Sequence, residues 1–258
     1  MGYTKECTKY CKMNRRDYLK KQSLASIGLL FTSELCANQQ QDFSLEQLMG
    51  IATFKGVSTP EVQLLRKAFE AYLEMQGAAL KEGISITAVS SYRSFARQKA
   101  IFERKYMRFT QNDGLTPQAA FEKIIEYSTI PGTSRHHWGT EIDIIDDSKP
   151  RVGDVLVEEK FHANGPYVKL KEWMDFNAND YGFYLVYTND HNRKGFNYEP
   201  WHYSFKELSK PMLDTYLRHD LKSVLREANF KGAALLSEDL IERYIEEHIK
   251  DINPELRS

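Results

Sequence analysis

Apolar residues recur at helical spacing through Leu64, Leu65, Ala68, Phe69, Tyr72, Leu73, Met75 and Leu80. This pattern predicts a helix with one face toward a core. Ahead of it, Thr59-Pro60-Glu61 combines a capping residue, a proline suited to a first turn and an acid, so the helix is expected to start there and to end near Gly83. Ser44 is placed to cap a shorter helix through "LEQLMGIA". The run "ISITAV" (84–89) breaks the helical period and reads as a buried strand, left through the loop "SSYRS". Helices are predicted from Phe95 to Arg108, from Pro117 to Tyr127 and over 167–180. Strands are predicted over "EIDII" (141–145), "FYLVYT" (183–188) and "EPWHYSF" (199–205). The polar segment 146–165 is a long loop and "NDHNRKG" a hairpin-like one. From Lys206 on, helical spacing dominates, ending in an amphipathic helix from Ile241 to Ile252. Helices flank a few strands without regular βαβ alternation, which predicts an α+β fold with a small, mainly antiparallel sheet.

The first 37 residues follow a different rule. Arg15, Arg16, Lys20 and Lys21 precede an apolar run from Leu24 to Phe31. That run is shorter than the roughly 20 residues a bilayer span needs. A basic head, a short apolar stretch and small residues predict an export signal over 1–37, and Arg15-Arg16 resembles the twin-arginine type. Residues 38–258 are then a single domain with no membrane span, placed in the periplasm or cell envelope of a bacterium.

Composition sharpens this division. All three cysteines (Cys7, Cys11, Cys36) lie in the leader, so the remaining chain has no thiol for a disulfide, a nucleophile or a metal ligand. The leader holds 7 basic and 3 acidic side chains, leaving 28 basic and 33 acidic ones, a net charge near −5. A whole-chain charge of −1 carries no signature of nucleic-acid binding. Any metal must be held by His, Asp or Glu.

Three short stretches carry candidate chemistry. "SRHHWGTEID" holds His136 and Asp143, seven apart, with Gly139 able to turn the chain between them. "EPWHY" sets Glu199 three residues before His202, and Trp201 is expected to face away from His202 into packing. "SSYRSFARQ" places Arg93 where a buried strand passes into a helix. Zinc catalysis asks for three protein ligands and one position left open, and a nearby carboxylate is suited to act as general base. Taken singly, each stretch is an ordinary polar surface feature.

Together they resemble the zinc D-Ala-D-Ala carboxypeptidases of the VanY kind, within the hedgehog-like DD-peptidase fold. The resemblance rests on Ser134, His136, Gly139 and Asp143, on Glu199, Trp201 and His202, and on Tyr92, Arg93, Ser94 and Gln98, in that family's order over about residues 84–205. It implies Zn2+ held by His136, Asp143 and His202, with Glu199 as catalytic base. It also implies Arg93 as a catalytic and substrate-binding arginine, with Gln98 and Ser134 beside the substrate. The implied activity is removal of the terminal D-Ala from peptidoglycan peptides. Alternatives on the same scaffold are a D-Ala-D-Ala dipeptidase, a peptidoglycan endopeptidase, or a non-catalytic metal-containing cell-wall-binding module. The chain departs from the family at Glu141, where alanine is commonest. As Glu141 shares a strand face with Asp143, it is expected to orient a ligand, hold a substrate amine or face solvent. His137 has no implied role beyond lining the site or bonding to backbone, and Ser134 is expected to brace its loop. The C-terminal helices (206–258) carry no legible chemistry.

Overall fold

A computed structural model describes residues 43–258. The predicted export signal over 1–37, with its three cysteines, lies outside the described residues. The chain is α+β. Its principal sheet has four antiparallel strands in the order β3-β4-β6-β5: β3 (Ile86–Ser90), β4 (Glu141–Asp146), β6 (His202–Phe205) and β5 (Phe183–Leu185). A two-stranded ladder, β1 (Val57–Ser58) with β2 (Gln63–Leu64), stands apart from it.

Among the described residues, eight α-helices surround the sheet: α1 (Leu45–Leu48), α2 (Arg66–Lys81), α3 (Phe95–Met107), α4 (Pro117–Ile125), α5 (Val168–Asn177), α6 (Lys206–Leu217), α7 (Leu221–Arg226) and α8 (Glu238–Tyr244). Capping fixes several starts, at Ser44 as the sequence suggests. Ser44 and Gln47 form a reciprocal box at α1, Ser94 accepts from the Arg97 amide at α3, and Thr116 from the Ala119 amide at α4.

The core has two parts. One packs α2 (Ala68, Tyr72, Met75, Ala79) and α5 (Leu170, Trp173, Met174) against Ile142 and Ile144 of β4 and Tyr203 and Phe205 of β6. Trp201, just before β6, joins this side, as strand alternation predicts. The other is a helical body in which Phe102, Phe121, Tyr216, Leu225, Ile241 and Tyr244 meet. The sheet face carrying Glu141, Asp143, His202 and Ser204 is almost as inaccessible, although all four are polar. Buried polar groups need partners, so that face is where chemistry is to be sought.

Several boundaries differ from the pattern-based reading. Thr59-Pro60-Glu61 does not open the helix. The Thr59 hydroxyl accepts from the Glu61 and Val62 amides and so closes the β1–β2 turn. The Tyr92 amide meets the Gln63 carbonyl, and the Leu65 amide meets that of Gly139. These contacts hold the segment extended until Arg66. Leu73 and Leu80, read as core, are 46% and 63% exposed; the buried stripe runs instead through Ala68, Tyr72, Met75 and Ala79. The strands predicted over 183–188 and 199–205 are shorter, because pairing is confined to Phe183–Leu185 against Tyr203–Phe205. Glu199 therefore sits in a turn rather than a strand, with its carbonyl accepting from the His202 amide at 3.1 Å. The last helix begins at Glu238 and widens over Ile245–Lys250.

Candidate metal centre

Strand register assembles the site. Ser90 of β3 pairs with Asp143 of β4, and Asp143 pairs with His202 of β6, so these three residues form one row across the sheet. A bulge between Ala88 and Ser90 re-aims the end of β3. His136 enters from the tight turn Arg135–Trp138, which ends at Gly139 with φ of +69°. That left-handed turn reverses the chain into β4. A Cβ there would approach Phe54 Cε2 to 2.5 Å.

His136, Asp143 and His202 offer one ligand atom each within 4.8 Å of one another, and all three are buried. His136 Nδ1–H donates to the Ser91 carbonyl at 2.7 Å. This leaves Nε2 free, 3.3 Å from Asp143 Oδ2. The two imidazole centroids lie 4.8 Å apart. Asp143 Oδ1 is buried with no hydrogen-bond partner among the described residues. An orphaned carboxylate oxygen is costly unless something fills it, and a cation bound between two imidazoles does so. The residues present therefore fit a metal, and a set of two nitrogens and one oxygen falls within the ligand types zinc takes.

His202 has a carboxylate at each ring nitrogen. Nδ1 is 2.8 Å from Glu199 Oε2, and Nε2 is 3.1 Å from Glu141 Oε2. Burial lowers its pKa, but Asp143, Glu141 and Glu199 outweigh burial and push it up to about 10. Burial brings His136 down to about 4, helped by Arg93. Burial raises Asp143, yet His136 and then His202 hold it well below the usual carboxylate range. Burial lifts Glu199 above that range despite its bond to His202.

Arg93 is held on three sides. Nε donates to Ser90 Oγ, one terminal nitrogen to Gln98 Oε1 and the other to Asp143 Oδ2, each at 3.1 Å. It faces a cavity of about 580 Å³ that also reaches His136, Asp143, Glu199 and His202. Gln98, expected beside the substrate, is fully buried. Its amide is engaged at both ends, since Nε2 donates to the Thr129 carbonyl at 2.8 Å. Ser134 lines the cavity, but its hydroxyl has no partner among the described residues and braces nothing. His137 stands outside the cluster. Its Nδ1–H donates to the Arg93 carbonyl at 2.6 Å and its Nε2 accepts from the Gly132 amide at 3.2 Å. Trp138 donates to the Leu48 carbonyl and lies under the Arg135 guanidinium.

Some residues of this region are not singled out by the sequence patterns. Ser204 is two positions beyond His202 in β6, so the strand period alone places it on the site face. Arg97 and Lys105 follow Arg93 at multiples of four and line the same cavity, a signal available in the helical period. Lys105 donates to Ser128 Oγ at 2.5 Å, and burial lowers its pKa. Arg135 has no such signal, because a tight turn has no period that tells where its side chain goes.

Comparison with known proteins follows the same outline. A family model described as VanY, D-alanyl-D-alanine carboxypeptidase, matches residues 61–208, extending the sequence resemblance back through β2 and α2. A carboxypeptidase-named protein of Bacillus subtilis, YodJ, is 32% identical over 155 residues, which are 59% of this chain and 50% of that one. A D-alanyl-D-alanine carboxypeptidase of Enterococcus faecalis is 27% identical over 167 residues, 64% of this chain and 53% of that one. The chain thus spans about half the length of these two relatives. Among solved structures, the vancomycin resistance D,D-pentapeptidase VanY from a VanB-type cassette, in complex with Zn(II), aligns with a TM-score of 0.48 and 22% identity. That alignment covers 64% of this chain and 84% of the other.

Proposed function

Since the chain belongs to the VanY family of D-alanyl-D-alanine carboxypeptidases, we propose that it is a zinc peptidase that removes the terminal D-Ala from peptidoglycan peptides. One observation carries this reading: His136, Asp143 and His202 converge within 4.8 Å on the wall of the cavity that Glu199 and Arg93 also line. A zinc ion held by those three residues would polarise the scissile carbonyl and make water acidic enough to attack at neutral pH. The remaining work falls to side chains. Glu199, its basicity raised by burial, takes the proton of the attacking water and delivers it to the departing amine. Arg93, immobilised by Ser90 and Gln98, presents a planar fork of donors to the substrate's terminal carboxylate or to the oxygen that gains charge during attack. The Ser134 hydroxyl, without a partner among the described residues, supplies a further contact to the peptide. Gln98 acts through Arg93 rather than on substrate.

A buried Glu199 of raised basicity argues against a silent wall-binding module, which needs no base. The decisive experiment incubates purified protein with a muropeptide ending in D-Ala-D-Ala, with a peptide-bridged dimer and with free D-Ala-D-Ala, and weighs the products. Loss of one D-Ala from the first, abolished by a chelator and restored by zinc, is expected. Cleavage of only the bridged dimer or the free dipeptide would replace the carboxypeptidase with one of its relatives on this scaffold. No turnover of any of the three by the zinc-loaded protein would reject a peptidase. We further propose that the chain acts outside the cytoplasm, led there by Arg15-Arg16. Changing both arginines to lysine should retain the precursor in the cytoplasm, as read by fractionation.

A further inference from the structure

Glu141 stands where the family resemblance leads one to expect alanine, and its surroundings are unlike those of a neutral filler. It is completely buried. Antiparallel register sets Glu141 opposite Ser204 and Asp143 opposite His202. Glu141 is therefore the diagonal neighbour of His202 on the same sheet face, a separation a long side chain bridges and an alanine does not. Its Oε2 lies 3.1 Å from His202 Nε2. The other ring nitrogen, Nδ1, faces Glu199 and Asp143. Nε2 and Nδ1 lie on different edges of the imidazole ring, so a carboxylate at Nε2 does not compete for the position the three ligand atoms share.

The second oxygen of Glu141 is locked in turn. Oε1 accepts from Ser204 Oγ at 2.7 Å and from Thr140 Oγ1 at 3.1 Å, and it forms an ion pair with an Arg135 terminal nitrogen 3.1 Å away. The same Arg135 nitrogen donates to Ser204 Oγ at 2.8 Å. Arg135 is only 5% exposed and lies over the Trp138 ring, 4.6 Å from its centroid. An uncompensated carboxylate at this depth would be expensive; Arg135 supplies the opposite charge, and the paired strand supplies the hydroxyl.

We propose that Glu141 is a positioning residue, whose Oε2 holds the His202 ring at Nε2 and so keeps Nδ1 turned to the metal position, and that Arg135, paired with the other Glu141 oxygen, holds that carboxylate in place. This rests on the metal reading given above. It assigns a role to the one motif position at which this chain departs from the family pattern. Carboxylates behind ligand histidines typically matter by 10- to 100-fold in metal affinity.

The test uses the whole protein and zinc itself. Zinc affinity is measured by competition with a chromophoric chelator for wild type, for Glu141→Gln, and for Glu141→Ala combined with Arg135→Leu, which avoids stranding the arginine. Circular dichroism and thermal melting establish folding. Nitrogen-15 spectra of the histidine rings report which nitrogen carries the proton and which the metal. Gln keeps the shape of Glu. However, the two hydroxyl donors on Oε1 and the Arg135 charge beside it claim its carbonyl oxygen, so its amide N–H₂ turns toward Nε2 and the acceptor is lost. Both variants should bind zinc about 10- to 100-fold more weakly than wild type. Wild-type His202 should show the proton on Nε2 and metal on Nδ1. Equal zinc affinity in folded Glu141→Gln, or metal on Nε2 of wild-type His202, would overturn the proposal. Should the double variant not fold, Glu141→Gln and the ring spectra decide. A wild type that binds no zinc at all would instead reject the metal reading itself.

Discussion

Glu199 and Glu141 flank the same imidazole from its two sides, and their surroundings drive them apart. Burial raises Glu199 above the usual carboxylate range, whereas Arg135 and His202 overcome burial at Glu141 and hold it down at about 2. In the proposed reaction the first serves as the base and the second only positions the ring. Glu199→Gln keeps the shape and removes the proton acceptor, so zinc content and melting temperature should be unchanged while turnover falls by about 10²- to 10⁴-fold. Metal analysis beside product release checks this, and near-normal rates would assign the base elsewhere. Arg93 gives a different split. Arg93→Ala should raise KM for substrates with a free C-terminal carboxylate more than for amidated ones if it grips that carboxylate, and should lower kcat on both equally if it serves the developing oxyanion. Gln98→Leu, which frees Arg93 without removing it, should give a weaker form of whichever pattern Arg93→Ala shows.

At the level of elements, the site depends on one reversal of the chain. The tight turn Arg135–Trp138 and the start of β4 are joined by Gly139, whose carbonyl accepts from the Leu65 amide at 2.8 Å and whose Cα faces Phe54. Gly139→Ala forces a side chain into left-handed backbone and pushes on a ring already stacked on Tyr92 at 4.1 Å. The expected cost is about 1–3 kcal/mol of stability, together with weaker zinc binding, because His136 and Asp143 hang from opposite ends of that turn. Denaturant titration and chelator competition measure the two separately. Wild-type values for both would mean that the turn tolerates the substitution and does not set the ligand spacing. α1 and the turn after it contribute from the other side: the Leu48 carbonyl receives the Trp138 indole, and the Gly50 carbonyl receives the Phe95 amide.

Across the whole described molecule, the C-terminal helices act as a frame behind the site. Tyr244 Oη accepts from the Ile130 amide and bonds Thr133 Oγ1, both at 2.9 Å, and so holds the segment that leads into Ser134 and His136. Arg193 reaches the Asp251 carbonyl, and Asn253 donates to the Leu185 carbonyl at the edge of the sheet. Within this frame His248 stacks on Tyr244 and meets Phe196 edge-on. Burial lowers its pKa from an ordinary 6.5 to about 4, with Arg243 and Arg193 acting in the same direction and the Ile125 backbone and Asp251 against it. The unfolded chain therefore binds the proton that the folded chain refuses. Stability is intact above about pH 6.5 and declines as the pH falls toward 4, by at most about 1.4 kcal/mol per pH unit from this residue. Urea midpoints at pH 7.5 and pH 5 should converge in His248→Gln relative to wild type. An unchanged pH slope in that variant would show that His248 does not carry the effect.

Much of this was legible along the chain. The period of two in "EIDII" puts Glu141 and Asp143 on one face, and the same period after His202 separates it from Trp201 and Tyr203. The cap at Ser44 fixes a helix start from a few residues, since a capping bond is local. Local rules fail where a distant partner intervenes. Thr59-Pro60-Glu61 has the residues of a helix start, but the Tyr92 and Leu65 amides tie the segment to other parts of the chain, and Thr59 closes a turn instead. The role of Glu141 is the sharpest case. Its strand face is set by alternation, but ligand, solvent and substrate remained equally open until the register of β4 against β6 placed Ser204 opposite it and His202 on the diagonal. Arg135 arrives there from a turn with no period at all. Local sequence determined which residue types were present and which way they faced; strand register and the packing of distant segments decided which of them meet, because those distances depend on long-range pairing that no local pattern encodes.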